Sequence, residues 1–263
     1  MNSSQLSTIE KWYYAYTGRF KASGAWTPKQ QLKFDHCLRV AAEIQSLARD
    51  LGFNDEDDRT AYVLGLLHDI GRFHQLEKFG TFVDGQSIDH GACGADVLAE
   101  AEILDDLADS EREAILDGIR FHNRREIPGN LPPLIDRYAR LVRDADKLDG
   151  FWIIEDAARS GLSELYRDFF SGKSGKIPQG KADLGLVETV SRGEMISYAE
   201  TKNFADCLLL QIGWIYDIHY PVSMRRVRDR RVLEKYPSYA PGDEGIEEAI
   251  RTAILYRDRR LSV

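Results

Sequence analysis

Cysteine is scarce, and the three that occur, Cys37, Cys93 and Cys207, are widely separated and form no CxxC pair. An odd, dispersed set argues against a disulfide framework and makes a reducing compartment the default. Positive charge is also in deficit, since 35 Lys and Arg stand against 43 Asp and Glu for a net charge of -8. That balance supplies no global attraction to a polyanion, so nucleic-acid binding is not expected. Long apolar runs are missing as well. No window approaches the length needed to span a bilayer, and residues 1–11 carry Glu10 and Lys11 with no apolar core of signal-peptide length. The expectation is a cytoplasmic protein with no membrane partner. A chain of 263 residues can bury a core without covalent staples.

What is present is helical periodicity. Leu38, Ala41, Ile44, Leu47, Ala48 and Leu51 recur at three and four residues ahead of Gly52, which predicts a helix over about 30–51. Capping and acidic first-turn residues at 54–58 predict a second helix that runs to His68 and Asp69, with Gly71 just beyond. Residues 72–88 lack clear periodicity and are expected to form a loop that folds over a site. A short helix is expected over 89–103. Ser110 and Glu113 have capping-box spacing ahead of Ile115, Leu116 and Ile119, with His122 on the same stripe. Pro132 and Pro133 open a core helix carrying Leu134, Tyr138, Leu141, Ala145, Leu148 and Trp152. Glycine, serine and proline from Ser160 to Gly185 predict a loop or insertion. Two helices, about 186–217 with a break near Asn203 and about 244–258, complete an all-α chain with no convincing strand pattern and no internal repeat.

Against this background the run Tyr62-Val63-Leu64-Gly65-Leu66-Leu67 ends abruptly in an imidazole and a carboxylate, His68 and Asp69. Such groups are costly to bury unless satisfied, and a divalent cation satisfies both, although a helix end with its cap is the simpler reading of the pair alone. The chain has only 6 histidines, and those at His36, His68, His74, His90 and His122 precede an Asp-Ala-Asp-Lys-Leu-Asp segment at 144–149. Asp146 interrupts the apolar face of Ile135, Ala139 and Val142, so it must be paired by a metal or by an arginine.

The order His, His-Asp, His, His, Asp resembles the HD-domain metal-dependent phosphohydrolase superfamily. The likeness covers roughly 30–155 and extends to local context: Leu67-His68-Asp69-Ile70-Gly71-Arg72, Asp89-His90-Gly91-Ala92, Ile119-Arg120-Phe121-His122-Asn123 and Ala145-Asp146-Lys147. It implies an HD-domain helical bundle over 1–160 with additional C-terminal helices over 161–263 packed on it. It further implies that His36, His68, Asp69 and Asp146 hold one divalent ion and that His90 and His122 add a second. One or two ions per chain are therefore expected, drawn from Mn, Fe, Ni, Zn, Co or Mg, because imidazole and carboxylate do not name the metal. Asp144, the rival to Asp146, is expected to cap or to support.

The chemistry expected of such a site is hydrolysis of a phosphoester or phosphoanhydride by a metal-acidified water. Asp69 is expected to be central to catalysis, with cations at Lys147, Arg72 and Arg124-Arg125 available for the phosphate; Lys147 is preferred. The expected partner is a small phosphorylated, nucleotide-like metabolite, and a homo-oligomer stays open. Arg72 replaces the lysine usual after the HD turn of the cyclic-dinucleotide branch, and Arg124 to Gly129 replace its Gly-Tyr-Pro segment, so cyclic di-GMP hydrolysis is not expected. Rival readings are an HD-fold diiron oxygenase and a non-catalytic nucleotide sensor. His74 and His219 are read as a loop and a structural histidine, Cys93 as a buried small side chain, and the cluster from Arg225 to Arg231 as a solvated helix face or subunit contact.

Overall fold

A computed structural model describes residues 1–160 and 180–262. These residues are all-α, with no strand beyond an isolated bridge between Ala22 and Ala25. The chain divides into two compact units, Met1–Asp149 and Gly150–Val263. No described helix is long and apolar enough to cross a membrane.

The first unit runs through α1 (Ser3–Gly18), α2 (Pro28–Asp50), α3 (Asp55–Leu67), α4 (Gly71–Phe79), α5 (His90–Glu100), α6 (Asp109–Phe121) and the first part of α7 (Pro133–Ser160). Its local starts follow capping chemistry. Thr27 and Gln30 cap each other reciprocally at the head of α2, and the Asn54 side chain accepts the Glu56 and Asp57 amides at 2.9 Å to open α3. The apolar stripe of α2, with Val40, Ala41, Ile44, Leu47 and Ala48 fully buried, packs on Ala61, Val63, Leu64, Leu66 and Leu67 of α3. Each large aliphatic side chain removed from water this way contributes about 1.5–3 kcal/mol. Ile115 and Ile119 of α6 and Ile135, Ala139, Leu141, Val142 and Ala145 of α7 complete the core.

Several sequence expectations are corrected here. Residues 72–88 are not one loop: α4 occupies the first half, and a 3-10 turn spans Asp84–Gln86. With only Phe73 and Gln75 buried beyond its opening Gly71, α4 is too short to display a stripe. The Ser110 and Glu113 capping box does not form, because α6 starts at Asp109 behind Ala108, two residues before the start that a Ser110 cap would set. The carboxylate that finds a partner there is Glu111, whose Oε1 accepts from Thr60 Oγ1 at 3.0 Å. The helix α1 was not anticipated, although its Asn2 and Gln5 form a capping box that the sequence displays.

In the second unit, α8 (Leu184–Ser191), α9 (Phe204–Gly213), α10 (Pro221–Asp229), α11 (Val232–Tyr239) and α12 (Glu244–Leu261) follow α7. The helix expected over 186–217 with a break near Asn203 is two helices: Asn203 caps α9 at the expected break, and α8 ends earlier, where Gly193 takes a left-handed turn at φ 89°. Of the expected irregular stretch, 161–179 lies outside the described residues, and Gly185 lies inside α8 behind an Asp183 cap. The helices α10 and α11 were hidden by the arginine cluster, which masks the buried Val222, Met224 and Val227. The closing helix was expected and extends to Leu261.

One contact sets the spacing of the central helix pair. A Cβ added at Gly65 would lie 2.6 Å from Ile44 Cγ2 and 2.9 Å from Ala41 Cα, so α2 and α3 meet backbone to backbone at this point. Gly65→Ala is expected to destabilise the protein by about 1–3 kcal/mol through overpacking. Thermal unfolding of the variant checks this, and an unchanged Tm would mean that α2 yields at no cost.

Candidate metal centre

Two histidines are positioned by the same device at two helix ends. His68 follows the last residue of α3 and donates from Nδ1 to Gly65 O at 2.7 Å; His122 follows α6 and donates from Nδ1 to Ile119 O at 2.7 Å. Each imidazole thus satisfies a helix-terminal carbonyl and turns Nε2 inward. The end of α6 is braced by the buried Arg143 of α7, whose Nη1 donates to Phe121 O and His122 O at 3.1 Å each.

The other two are oriented by carboxylates. His36 Nδ1 donates to Asp149 Oδ2 at 2.6 Å, and Arg39 holds that carboxylate through Nε at 2.6 Å and Nη2 at 2.9 Å. His90 Nδ1 donates to Asp84 Oδ2 at 2.6 Å, while Arg72 and Gln75 each donate to Asp84 Oδ1 at 2.8 Å. With Nδ1 engaged as donor in all four rings, every Nε2 presents a lone pair, which is the form a metal ligand needs.

These lone pairs converge in two pairs. His36 Nε2 lies 3.1 Å from His68 Nε2, and His90 Nε2 lies 3.0 Å from His122 Nε2. Between them sits Asp69. Its Oδ2 faces the first pair at 3.5 and 3.7 Å, and its Oδ1 faces the second at 3.3 and 3.5 Å. Asp146 Oδ1 joins the first pair, 3.1 Å from His36 and 3.7 Å from His68. Two facing lone pairs repel unless a proton or a cation lies between them. Nitrogens bound cis at right angles to one ion with bonds of about 2.1 Å would be about 3.0 Å apart, so the donor set fits a metal on distance as well as chemistry. Two groups of side chains could each hold an ion, His36 with His68 and Asp146, and His68 with Asp69 and His122.

Approach to Asp69 comes together through Gly71, at the start of α4. A Cβ there would collide with the backbone oxygen of His90 and lie 2.7 Å from Gly94 N, so only glycine lets α4 rest directly on α5. His36, His68, Asp69, His90 and His122 are all buried, whereas the Asp146 side chain is 33% exposed and marks the open edge.

Electrostatics favour a cation. Burial pushes the Asp69 carboxyl up, but Lys33, His68, His122 and His90 overcome it and hold the group well below the usual carboxylate range. Asp146 behaves likewise: burial is outweighed by His36 and His68. Burial, with the neighbouring imidazoles, lowers His122 to about 4, which keeps that ring neutral. Burial and Lys33 press His36 down, yet Asp146 and Asp149 prevail and raise it.

All six side chains expected to bind metal thus meet in one cluster. Arg72 reaches the rim, its Nε 3.5 Å from Asp69 Oδ1, but its Nη1 is committed to Gln75 Oε1, Phe82 O and Asp84 Oδ1. Lys147 is half-buried on α7, next to Asp146 in sequence, and Asp144 is fully buried on the same helix. Arg124 is exposed over the Phe121 ring. His74 and Cys93 stand elsewhere, in a groove of about 770 Å³ with Trp12, Tyr16 and Arg19. Cys93 is half-buried there, not enclosed as expected. His219 lies 3.6 Å from Asp217 in the second unit. Sequence reasoning missed Lys33, Arg39, Asp84, Asp149 and Arg143. For three of them a signal existed: Lys33 and Arg39 lie three residues either side of His36, and Asp149 three beyond Asp146, which on a helix is the same face.

An all-helical unit thus converges four imidazoles and two carboxylates on one cluster whose side chains could hold a metal ion. Residues 34–150 match the family model of the HD domain. A curated protein of Vibrio cholerae serotype O1, 3'3'-cGAMP-specific phosphodiesterase 1, is 44% identical over 50 residues. That match covers 19% of this chain and 12% of the relative's length, far short of the whole relative. No solved structure matches the chain.

Asp84→Ala and Asp149→Ala are each expected to weaken metal binding by about 10- to 100-fold, because the imidazole behind each loses its orienting acceptor. Calorimetric titration of chelator-stripped protein reads this, and undiminished affinity in both would show that the rings are held without these carboxylates.

Proposed function

We propose that this protein is a metal-dependent phosphohydrolase that cleaves a phosphoester or phosphoanhydride bond in a small, nucleotide-like metabolite. The observation that carries the reading is the two-sided environment of Asp69, with one oxygen toward His36 and His68 and the other toward His90 and His122. His36, His68, Asp69 and Asp146 would hold one divalent ion, and His90 and His122, with Asp69, would hold a second. Bound there, a pair of divalent ions supplies Lewis acidity toward a phosphoryl oxygen and lowers the pKa of water from 15.7 toward about 7.

The chain's own residues would do the rest. Asp84 and Asp149 hold the imidazole tautomers, and burial of the four rings excludes bulk water. Arg72 contributes fixed positive charge at the rim, and Lys147, beside Asp146, is the preferred cation for the substrate phosphate. The division expected from the sequence, a phosphohydrolase core over 1–160 and a helical extension over 161–263, is part of the proposal. The relative's name adds a substrate class to test: phosphodiesters of nucleotides, including cyclic dinucleotides.

Metal content per chain, measured by mass spectrometry on protein purified without chelator or affinity metal, is the first test. Two ions in the wild type and one in His122→Ala are expected, and Asp69→Ala should lose both metal and turnover on a panel of nucleotide monoesters, anhydrides and cyclic dinucleotides. Turnover retained by Asp69→Ala would reject the site. Iron dominance with oxygen-dependent turnover would move the assignment to a diiron oxygenase, and nucleotide binding without turnover under every metal would move it to a sensor.

A further inference from the structure

The oxygen of Asp69 that faces His36 and His68 already has a cation on it. Lys33 Nζ donates to Asp69 Oδ2 at 2.6 Å, with the lysine side chain 15% exposed and the carboxylate 3%. This is the same oxygen that the proposed centre offers to its first ion, so the ammonium and a divalent ion contend for one acceptor in a poorly screened site, where like charges at contact repel strongly.

The two basic residues beside Asp69 differ in how firmly they are held. Arg72 Nη1 is tied to Gln75, Phe82 O and Asp84, and Arg72 cannot leave without dismantling the support of His90. Among the described residues, Lys33 has Asp69 as its ion-pair partner and, beyond that, the face of Phe82, its Nζ 5.6 Å from the ring centroid. Its aliphatic stem rises from the second turn of α2, and rotation about its own bonds can carry the ammonium off Oδ2 toward that ring while the helix stays in place.

We propose that Lys33 is an internal counterion of the metal centre: it neutralises Asp69 in the metal-free protein, gives up Oδ2 when an ion enters, and thereby sets how tightly the first ion is held. Lys33 acts as a positioning residue, through Asp69. It keeps a buried carboxylate compensated so that the site stays assembled before loading, at the expense of affinity. The inference rests on the metal reading of the site.

The test compares wild type, Lys33→Met, Lys33→Gln and Lys33→Arg after chelator stripping, by calorimetric titration with Mn(II) and by thermal unfolding with and without saturating Mn(II). Lys33→Met and Lys33→Gln are expected to bind the first Mn(II) about tenfold tighter than wild type, because the competing charge is gone. Metal-free they should unfold at lower temperature than wild type, the buried carboxylate having lost its partner, and the gap should close with Mn(II). Lys33→Arg keeps the charge and should stay near wild-type affinity.

Equal or weaker binding in both neutral variants overturns the proposal, as does Lys33→Arg behaving like Lys33→Met. A merely structural lysine would lower both unfolding temperatures alike and leave affinity unchanged. If wild type binds no Mn(II) at all, the metal reading and this proposal fall together; if wild type binds and neutral variants do not tighten, only the role of Lys33 falls.

Discussion

A carboxylate buried to 3% exposure cannot stand alone in a helical core, and everything around Asp69 is arranged to compensate it. Lys33 meets one oxygen, Arg72 Nε approaches the other, and four imidazoles aim their Nε2 atoms at the pair of oxygens. The arrangement is loaded with facing lone pairs and excess negative charge. A cluster of this kind is at ease only with added positive charge, which Lys33 supplies at one oxygen and which divalent ions would supply in a metal centre.

The fold serves this point with helix termini. The last turns of α3 and α6 each deliver a histidine that closes its own helix by bonding back three residues, and the bare backbone of Gly71 lets α4 press against α5 so that Asp69 and His90 meet. From mid-helix come His36 on α2 and Asp146 on α7, backed by Asp149 one turn on. Side chains on rigid helices with their own acceptors behind them keep narrow orientations, and narrow orientation is what distinguishes a binding site from a chance cluster.

Much of this was legible beforehand. The stripes of α2 and α7 and the cap at Asn54 are local signals, and local energetics decided them. The His-Asp series resembled a family, and the six side chains it nominated do meet. What escaped was either short or masked. The single turn and a half of buried contact in α4 shows no period, and the arginines of α10 hide its apolar side. At α6 the capping box lost to a helix start two residues earlier, where Glu111 found Thr60.

The supporting shell divides along the same line. Arg39 and Asp149 could have been found as partners of His36 and Asp146 by helical spacing, but Asp84 reaches His90 from a turn whose path no periodicity describes. The sequence by itself determined an all-α chain, the positions of its strongest helices and the identity of the side chains able to hold a cation, because those depend on spacing within a helix and on residue chemistry. Only the tertiary structure decided that Asp69 stands between two histidine pairs, that Lys33 rests on one of its oxygens and that Asp146 lies at the open edge. Those relations join residues from helices far apart in the chain, and packing alone brings them within reach.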